Sequence, residues 1–343
     1  MTETLRARVI AQIHHQETNP IPYTLSFEQE VEEGLDAYYG SEGWRARIHN
    51  AIVQVPGPTA EMYVERTEAE LIRDVYGSLW HWGDRFPHLV QPVISMPALE
   101  GFTFPALDTL FAAGWKDRSL AEIERKKDHF RVVGFSFGLF ERTWALCGFD
   151  NVLLYLATEP DFYERLVEGV ANHQMEILEK LLELPVDGIM FSDDWGFQQG
   201  VIMGAKRWRR FFKPHLSRLY GRAKAAGKFV FSHCCGGIRE ILPDLIEIGL
   251  DVYESVQPEA KNNNPYELKK EFGRELTFWG ALGSQSTIPF GTPDEIKAEI
   301  NRLCREMGRG GGFILGPSKS LQPETPIENA AAVVEAFLQQ SGI

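Results

Sequence analysis

From residue 130 onward the chain alternates short apolar, β-branched or aromatic runs with longer stretches whose apolar residues recur at i, i+3 and i+4. The runs at 130–135, 188–191, 229–232, 252–254, 276–279 and 312–315 read as buried strands. Between them, the 3.6-residue periodicity predicts helices over 160–182, 205–226, 238–248, 265–272, 293–307 and 326–340. Thr292 and Pro326 mark two of the helix starts. Strand–helix alternation of this kind implies a parallel sheet covered by helices.

The first 130 residues are less regular. Helices are expected over 5–14 and 26–38, the second with acidic residues crowding its first turns. Residues 52–64 read as extended, interrupted by Pro56-Gly57-Pro58. Residues 75–125 are rich in aromatics, proline and glycine, as in Trp80-His81-Trp82-Gly83, and fit either a cap over a site or an aromatic satellite core. Strands near 61–64 and 89–94 bring the expected total to the number that closes a barrel. The predicted fold is therefore an α/β (β/α)8 TIM barrel, one domain over 1–343, with residues 1–55 as an N-terminal helical extension. No Gly-x-Gly-x-x-Gly follows a strand, which argues against a dinucleotide-binding sheet.

Composition narrows the function. The 343 residues carry a net charge of −13, with 44% hydrophobic and 24% charged residues. That balance suits a globular protein and opposes nonspecific nucleic-acid binding. The four cysteines have no disulfide spacing, so a reducing compartment is expected. The N-terminus lacks an apolar leader and no apolar run reaches membrane-spanning length. A soluble cytoplasmic enzyme acting on a small molecule is the expectation, and a homodimer is compatible with it.

In a barrel, residues at the carboxyl ends of the strands converge on one mouth. The polar residues at those positions are Asp193 and Asp194, His233 and Cys235, Glu254 and Gln257, Ser284 and Gln285, and Ser318 and Lys319. The stretch Ser232-His233-Cys234-Cys235-Gly236-Gly237 stands out. Alternation on an extended backbone points His233 and Cys235 one way and Cys234 the other. An imidazole and a thiol so placed begin a metal site or a reactive-thiol site. In Asp193-Asp194-Trp195, adjacent carboxylates suit proton transfer, metal binding or a cationic ligand, or else the cap of a helix. Periodicity leaves open which Asp faces the mouth. Glu254 is a candidate third metal ligand, general acid or substrate contact. Trp195, Gln257, Gln285 and Ser318 are further substrate-contact candidates. Lys319 is positioned to bind an anionic group or offset developing charge.

Several motifs together resemble the uroporphyrinogen decarboxylase superfamily. They are Phe191-Ser-Asp-Asp-Trp-Gly196, Arg207-Trp-Arg-Arg-Phe-Phe-Lys-Pro214, His233-Cys-Cys-Gly-Gly237, Trp279-Gly-Ala-Leu-Gly-Ser-Gln285 and Gly311-Gly-Phe-Ile-Leu-Gly-Pro317. The resemblance implies a (β/α)8 barrel and one of two activities. One is cofactor-free decarboxylation of a porphyrinogen. The other is zinc-dependent methyl transfer, in which His233 and Cys235 are zinc ligands and a methyl-corrinoid is carried by a separate protein. The chain departs from both patterns. It has no Arg-rich segment before residue 60, and Ser318-Lys319 stands where the methyltransferases place a third cysteine. The leading expectation is a corrinoid-linked methyltransferase acting on a methoxy aromatic or methylamine-like compound. Asp193, Asp194, His233 and Lys319 would act in catalysis. A porphyrinogen decarboxylase and a non-catalytic binding barrel are the alternatives.

Overall fold

The computed structural model describes residues 3–58, 65–66, 71–81, 87–135 and 137–342. Seven parallel strands form one sheet, neighbours in space following their order in the chain. They are β1 (Ile52–Gln54), β2 (Phe130–Phe135), β3 (Gly188–Ser192), β4 (Phe229–His233), β5 (Val252–Val256), β6 (Thr277–Leu282) and β7 (Phe313–Pro317). Six of these are the runs read from the sequence, each covered by helices outside and by core inside, which is why they are apolar on both faces.

The two outer strands are joined through residues 22–25. Thr24 N–H donates to the Leu315 carbonyl (2.9 Å), Leu315 N–H to Pro22 (3.0 Å) and Ala51 N–H to Tyr23 (2.8 Å). This short extended segment is an eighth stave, and the architecture is that of a TIM barrel. The expected seventh and eighth strands thus lie elsewhere. Residues 61–64 fall outside the described residues. The run near 89–94 yields His88–Gln91, which joins Glu65–Arg66, Leu71–Arg73 and Leu79–His81 in a separate antiparallel sheet. The cause is a turn built on Asp74. Its carboxylate accepts Tyr76 N–H (3.0 Å), Ser78 N–H (2.9 Å) and Trp80 Nε1–H (2.8 Å), folding the chain back on itself. Ser78 Oγ then donates to the Ala145 carbonyl (2.8 Å) and fastens this sheet to a helix of the barrel wall.

Residues 1–55, expected as a helical extension, contain helix α1 (Leu5–Ile13) and a second helix, Gln29–Tyr39, together with the stave and β1. α1 closes the amino-terminal end of the barrel. Val9 and Ile13 pack with the inward residues Phe130, Phe231, Val252 and Ile314. Buried Gln12 pairs with the last strand, its Oε1 accepting Phe313 N–H (3.0 Å). No helix among the described residues is long and apolar enough to cross a membrane.

Asp187, just before β3, ties α1 to the barrel floor. Its carboxylate accepts from Arg6 Nε (2.9 Å), Arg131 Nε (3.0 Å) and Arg131 N–H (3.0 Å). Burial raises its pKa, but the hydrogen bonds from Arg131 and Arg6 outweigh that and hold it below the ordinary carboxylate value. A depressed folded pKa contributes stability above the unfolded pKa, and that contribution is lost as pH falls through the folded value. Asp187→Asn should therefore cost about 3 kcal/mol at neutral pH, the typical loss on breaking a buried pair. The gap in Tm between wild type and variant should narrow as pH drops below ~4. A gap that widened in acid would contradict the assignment.

Candidate functional site

Strand register builds the mouth. β4 pairs with β3 and β5 so that His233 lies beside Ser192 on one side and Glu254 on the other. The His233 Nδ1 and the Glu254 carboxylate are hydrogen-bonded. That bond leaves Nε2 to face Cys235 Sγ at 3.5 Å and Asp194 Oδ1 at 3.7 Å. Asp194 Oδ1 also accepts the Cys235 N–H at 2.7 Å. One imidazole nitrogen, one thiol sulfur and one carboxylate oxygen thus lie within 4.8 Å of one another.

The two loops that carry these donors are zipped together by backbone. Gly196 N–H points at Cys234 Sγ (3.3 Å), and Gly237 N–H donates to the Phe197 carbonyl (3.0 Å). A Cβ at Gly196 would stand 2.5 Å from the Cys235 carbonyl oxygen, and one at Gly236 2.5 Å from Phe197 N. Glycine is required at both for the loops to approach. Cys234 faces away from the mouth, fully buried, and burial beside Asp194 raises its thiol pKa well above the ordinary value.

The aspartate pair divides its work. Asp194 continues the inward face of β3 and joins the donor cluster. Asp193 turns into the wall, 1% exposed. Its two oxygens accept Phe140 N–H (2.8 Å) and Glu141 N–H (2.9 Å), capping helix α2 (Leu139–Cys147) from across the sheet. Asp193, expected among the catalytic groups, is placed as a cap because side chains alternate along β3. Trp195, expected at the substrate, lies in the core with 0% exposure, its ring edge-on to Trp208 at 5.7 Å. The remaining expected residues surround a cavity of about 620 Å³ beside Cys235. Gln257, Ser284, Gln285, Ser318 and Lys319 line it. Gln257 holds Gly236 N–H through Oε1 (3.0 Å), and its buried amide nitrogen has no hydrogen-bond partner among the described residues. Ser318 Oγ bonds Ser284 Oγ (3.1 Å).

Glu141 is a mouth residue that strand-end reasoning missed, because it sits in the first turn of α2. It lines the bore with Asp194, His233 and Glu254. Burial, then the charges of Asp193 and Asp194, push its carboxyl up to about 8. Burial likewise raises Asp193 to about 7, against the helix N–H groups that favour its charge. For His233, burial works against protonation, but the Glu254 carboxylate overcomes it and raises the pKa well above the ordinary value. A mouth with this many carboxylates favours a cation.

The donor set fits a zinc ion. Nitrogen, sulfur and carboxylate oxygen are its ordinary ligands, and three protein ligands leave one position open. His233 meets the further requirement that its second nitrogen be held by a carboxylate, here Glu254. Glu254, considered earlier as a third ligand, is engaged with the far side of the ring, and Asp194 supplies the third donor. Ser318 and Lys319 share a cavity with His233 and Cys235 but bring no comparable ligand.

The family model for uroporphyrinogen decarboxylase (URO-D) matches residues 83–339. The methylcobamide:CoM methyltransferase MtaA of Methanosarcina barkeri is 27% identical over 205 residues, 60% of this chain and 57% of that protein. The uroporphyrinogen decarboxylase of Thermus thermophilus is 27% identical over 187 residues, 54% of this chain and 51% of that protein. The chain thus spans little more than half the length of these relatives. A methyltransferase structure from Methanosarcina mazei shares the fold, with a TM-score of 0.72 at 21% identity over 98% of both chains.

Metal analysis checks the donor assignment. Purified protein should bind one zinc per chain, and Asp194→Ala, His233→Ala and Cys235→Ala should each abolish stoichiometric binding. Glu254→Gln should keep the metal but weaken it about 10- to 100-fold, as loss of an outer carboxylate does. Full zinc retention in Asp194→Ala would remove Asp194 from the ligand set.

Proposed function

The chain belongs to the uroporphyrinogen decarboxylase family, and on that premise we propose that it is a zinc-dependent methyltransferase. It moves a methyl group between a small methylated substrate and a corrinoid carried by a separate protein. The observation that carries this reading is the convergence of Asp194, His233 and Cys235 donors within 4.8 Å at the mouth. When bound, zinc supplies Lewis-acid polarisation and one open coordination position.

The chain's own residues do the rest. Glu254 fixes the orientation of the His233 ring and keeps Nε2 toward the donors. The Asp194 carboxylate holds the Cys235 backbone in place (2.7 Å) while presenting the same oxygen to the cluster. Gln257, whose amide N–H has no partner among the described residues, and Lys319 line the cavity beside Cys235, where the polar end of a reactant would meet them.

Porphyrinogen decarboxylation draws less support. Its several substrate carboxylates need cationic partners. Among the described residues that line the mouth cavities, Lys319 is the one lysine or arginine. Glu141, Asp194 and Glu254 face the same space.

The reading is checked by following the absorbance change as a Co(I) corrinoid protein is methylated from a panel of methylated small molecules. Chelation of zinc should stop transfer and added zinc should restore it. His233→Ala and Cys235→Ala should lower the rate on the order of a hundredfold or more. Turnover of uroporphyrinogen by metal-free protein would overturn the proposal.

A further inference from the structure

A second cavity, of about 690 Å³, opens beside the donor cluster on the side of Asp194. Its walls come from the antiparallel sheet, from α2 and from the helix after it. Trp80, Trp144 and Phe149 supply aromatic surface, and Glu141, Asp150 and Asp194 supply carboxylates. Among the described residues that line it there is no lysine or arginine. We infer that this cavity binds a methylated ammonium group, so that the methyl-bearing substrate is an onium cation rather than a methoxy arene.

Ring geometry separates the two. Trp80 and Trp144 meet at 65° with centroids 5.9 Å apart, and Trp144 and Phe149 at 74° and 6.5 Å. Such walls form corners, whereas a flat arene stacks best in a slot between parallel faces. A rounded trimethylammonium head fills a corner and gains from the negative faces of the rings. The same ring cluster already holds one cation. The Arg142 guanidinium lies 4.9 Å from the Phe137 centroid and 3.8 Å from that of Tyr76, and Phe137 stands 5.6 Å from Trp144. The carboxylates of Asp150 and Asp194 add to the case, since a neutral arene makes no use of their charge.

Asp194 belongs to this cavity and to the donor cluster alike, so a bound onium lies beside the donor cluster, and, having no lone pair on nitrogen, it is held by the rings and carboxylates and takes no position on zinc. The chemistry balances without a proton donor. The C–N bond breaks with its electron pair remaining on nitrogen, the amine leaves neutral, and the methyl group passes to the electron pair of a Co(I) corrinoid on a separate protein. The inference rests on the methyltransferase reading for that step, but not for the binding it assigns.

Calorimetric titration of the zinc-loaded protein tests it with choline, with the neutral isostere 3,3-dimethylbutan-1-ol and with 1,2-dimethoxybenzene. Choline should bind at least about tenfold more tightly than either neutral compound. Phe149→Leu, at a half-exposed ring, should weaken choline about threefold, and Trp144→Leu about tenfold. Absence of choline binding, or equal binding of the isostere or the arene, overturns the inference whatever the variants do. Choline binding without methyl transfer to corrinoid supports the cavity assignment and sinks the methyltransferase reading. Methyl transfer from dimethoxybenzene without choline binding does the reverse.

Discussion

The site depends on the register of one strand. β4 lies between β3 and β5, and its last residue, His233, is level with Ser192 and Glu254. A slip by one residue would turn Ser232 and Cys234 inward and send the imidazole into the helix layer. That register is held from below by Phe231, which packs inside the barrel with Phe130, Val252 and Ile314. It is held from above by the zipped loops, where Asp194 receives the Cys235 N–H. Hydrophobic burial at one end of the strand therefore fixes the position of the chemistry at the other. The glycines at 196 and 236 are part of the same constraint, because any side chain there would separate the loops that carry the donors.

The mouth is built against the ordinary preferences of a folded protein. Carboxylates are gathered where solvent is partly excluded, and two respond by raised pKa values, Glu141 to about 8 and Asp193 to about 7. Their causes differ in kind. Asp193 is solvated by the first N–H groups of α2, so its burial serves the fold and its charge is met by a helix end. For Glu141 the neighbouring aspartates add to the effect of burial, and a cation in the mouth would relieve both.

Much of this was legible in the sequence. Apolar runs and helical periodicity marked six barrel strands, because strands buried on both faces leave little room for polar residues. Alternation alone separated Cys235 from Cys234. In the aspartate pair periodicity left the inward member open, and the structure, with Met190, Ser192 and Asp194 all facing the bore, decides it. Of the two remaining staves, residues 52–54 were read only as part of an extended stretch, and residues 22–25 were not legible, since a few backbone hydrogen bonds around Pro22 leave no strand-like pattern. Trp195 shows the converse limit. Proximity in sequence to a site residue says nothing about a side chain that points the other way. Glu141 was hidden because it comes from a helix start, and only the tertiary contact between α2 and the end of β3 brings it to the mouth.

The two side cavities meet at Gly196, which lines both. One opens beside Cys235 and carries hydrogen-bonding groups. The other opens beside Asp194 and carries aromatic faces. Displacement at a methyl carbon requires the nucleophile and the leaving group to approach from opposite sides of that carbon. A site for it therefore needs two entrances of different chemistry, with little bulk between them. Here the donor groups of Cys235 and Asp194 lie at the inner ends of two cavities of different chemistry, one on each side. A decarboxylase handles one reactant and has no such requirement. Cavities of different chemistry on the two sides of the donor groups therefore add to the support for the methyltransferase reading.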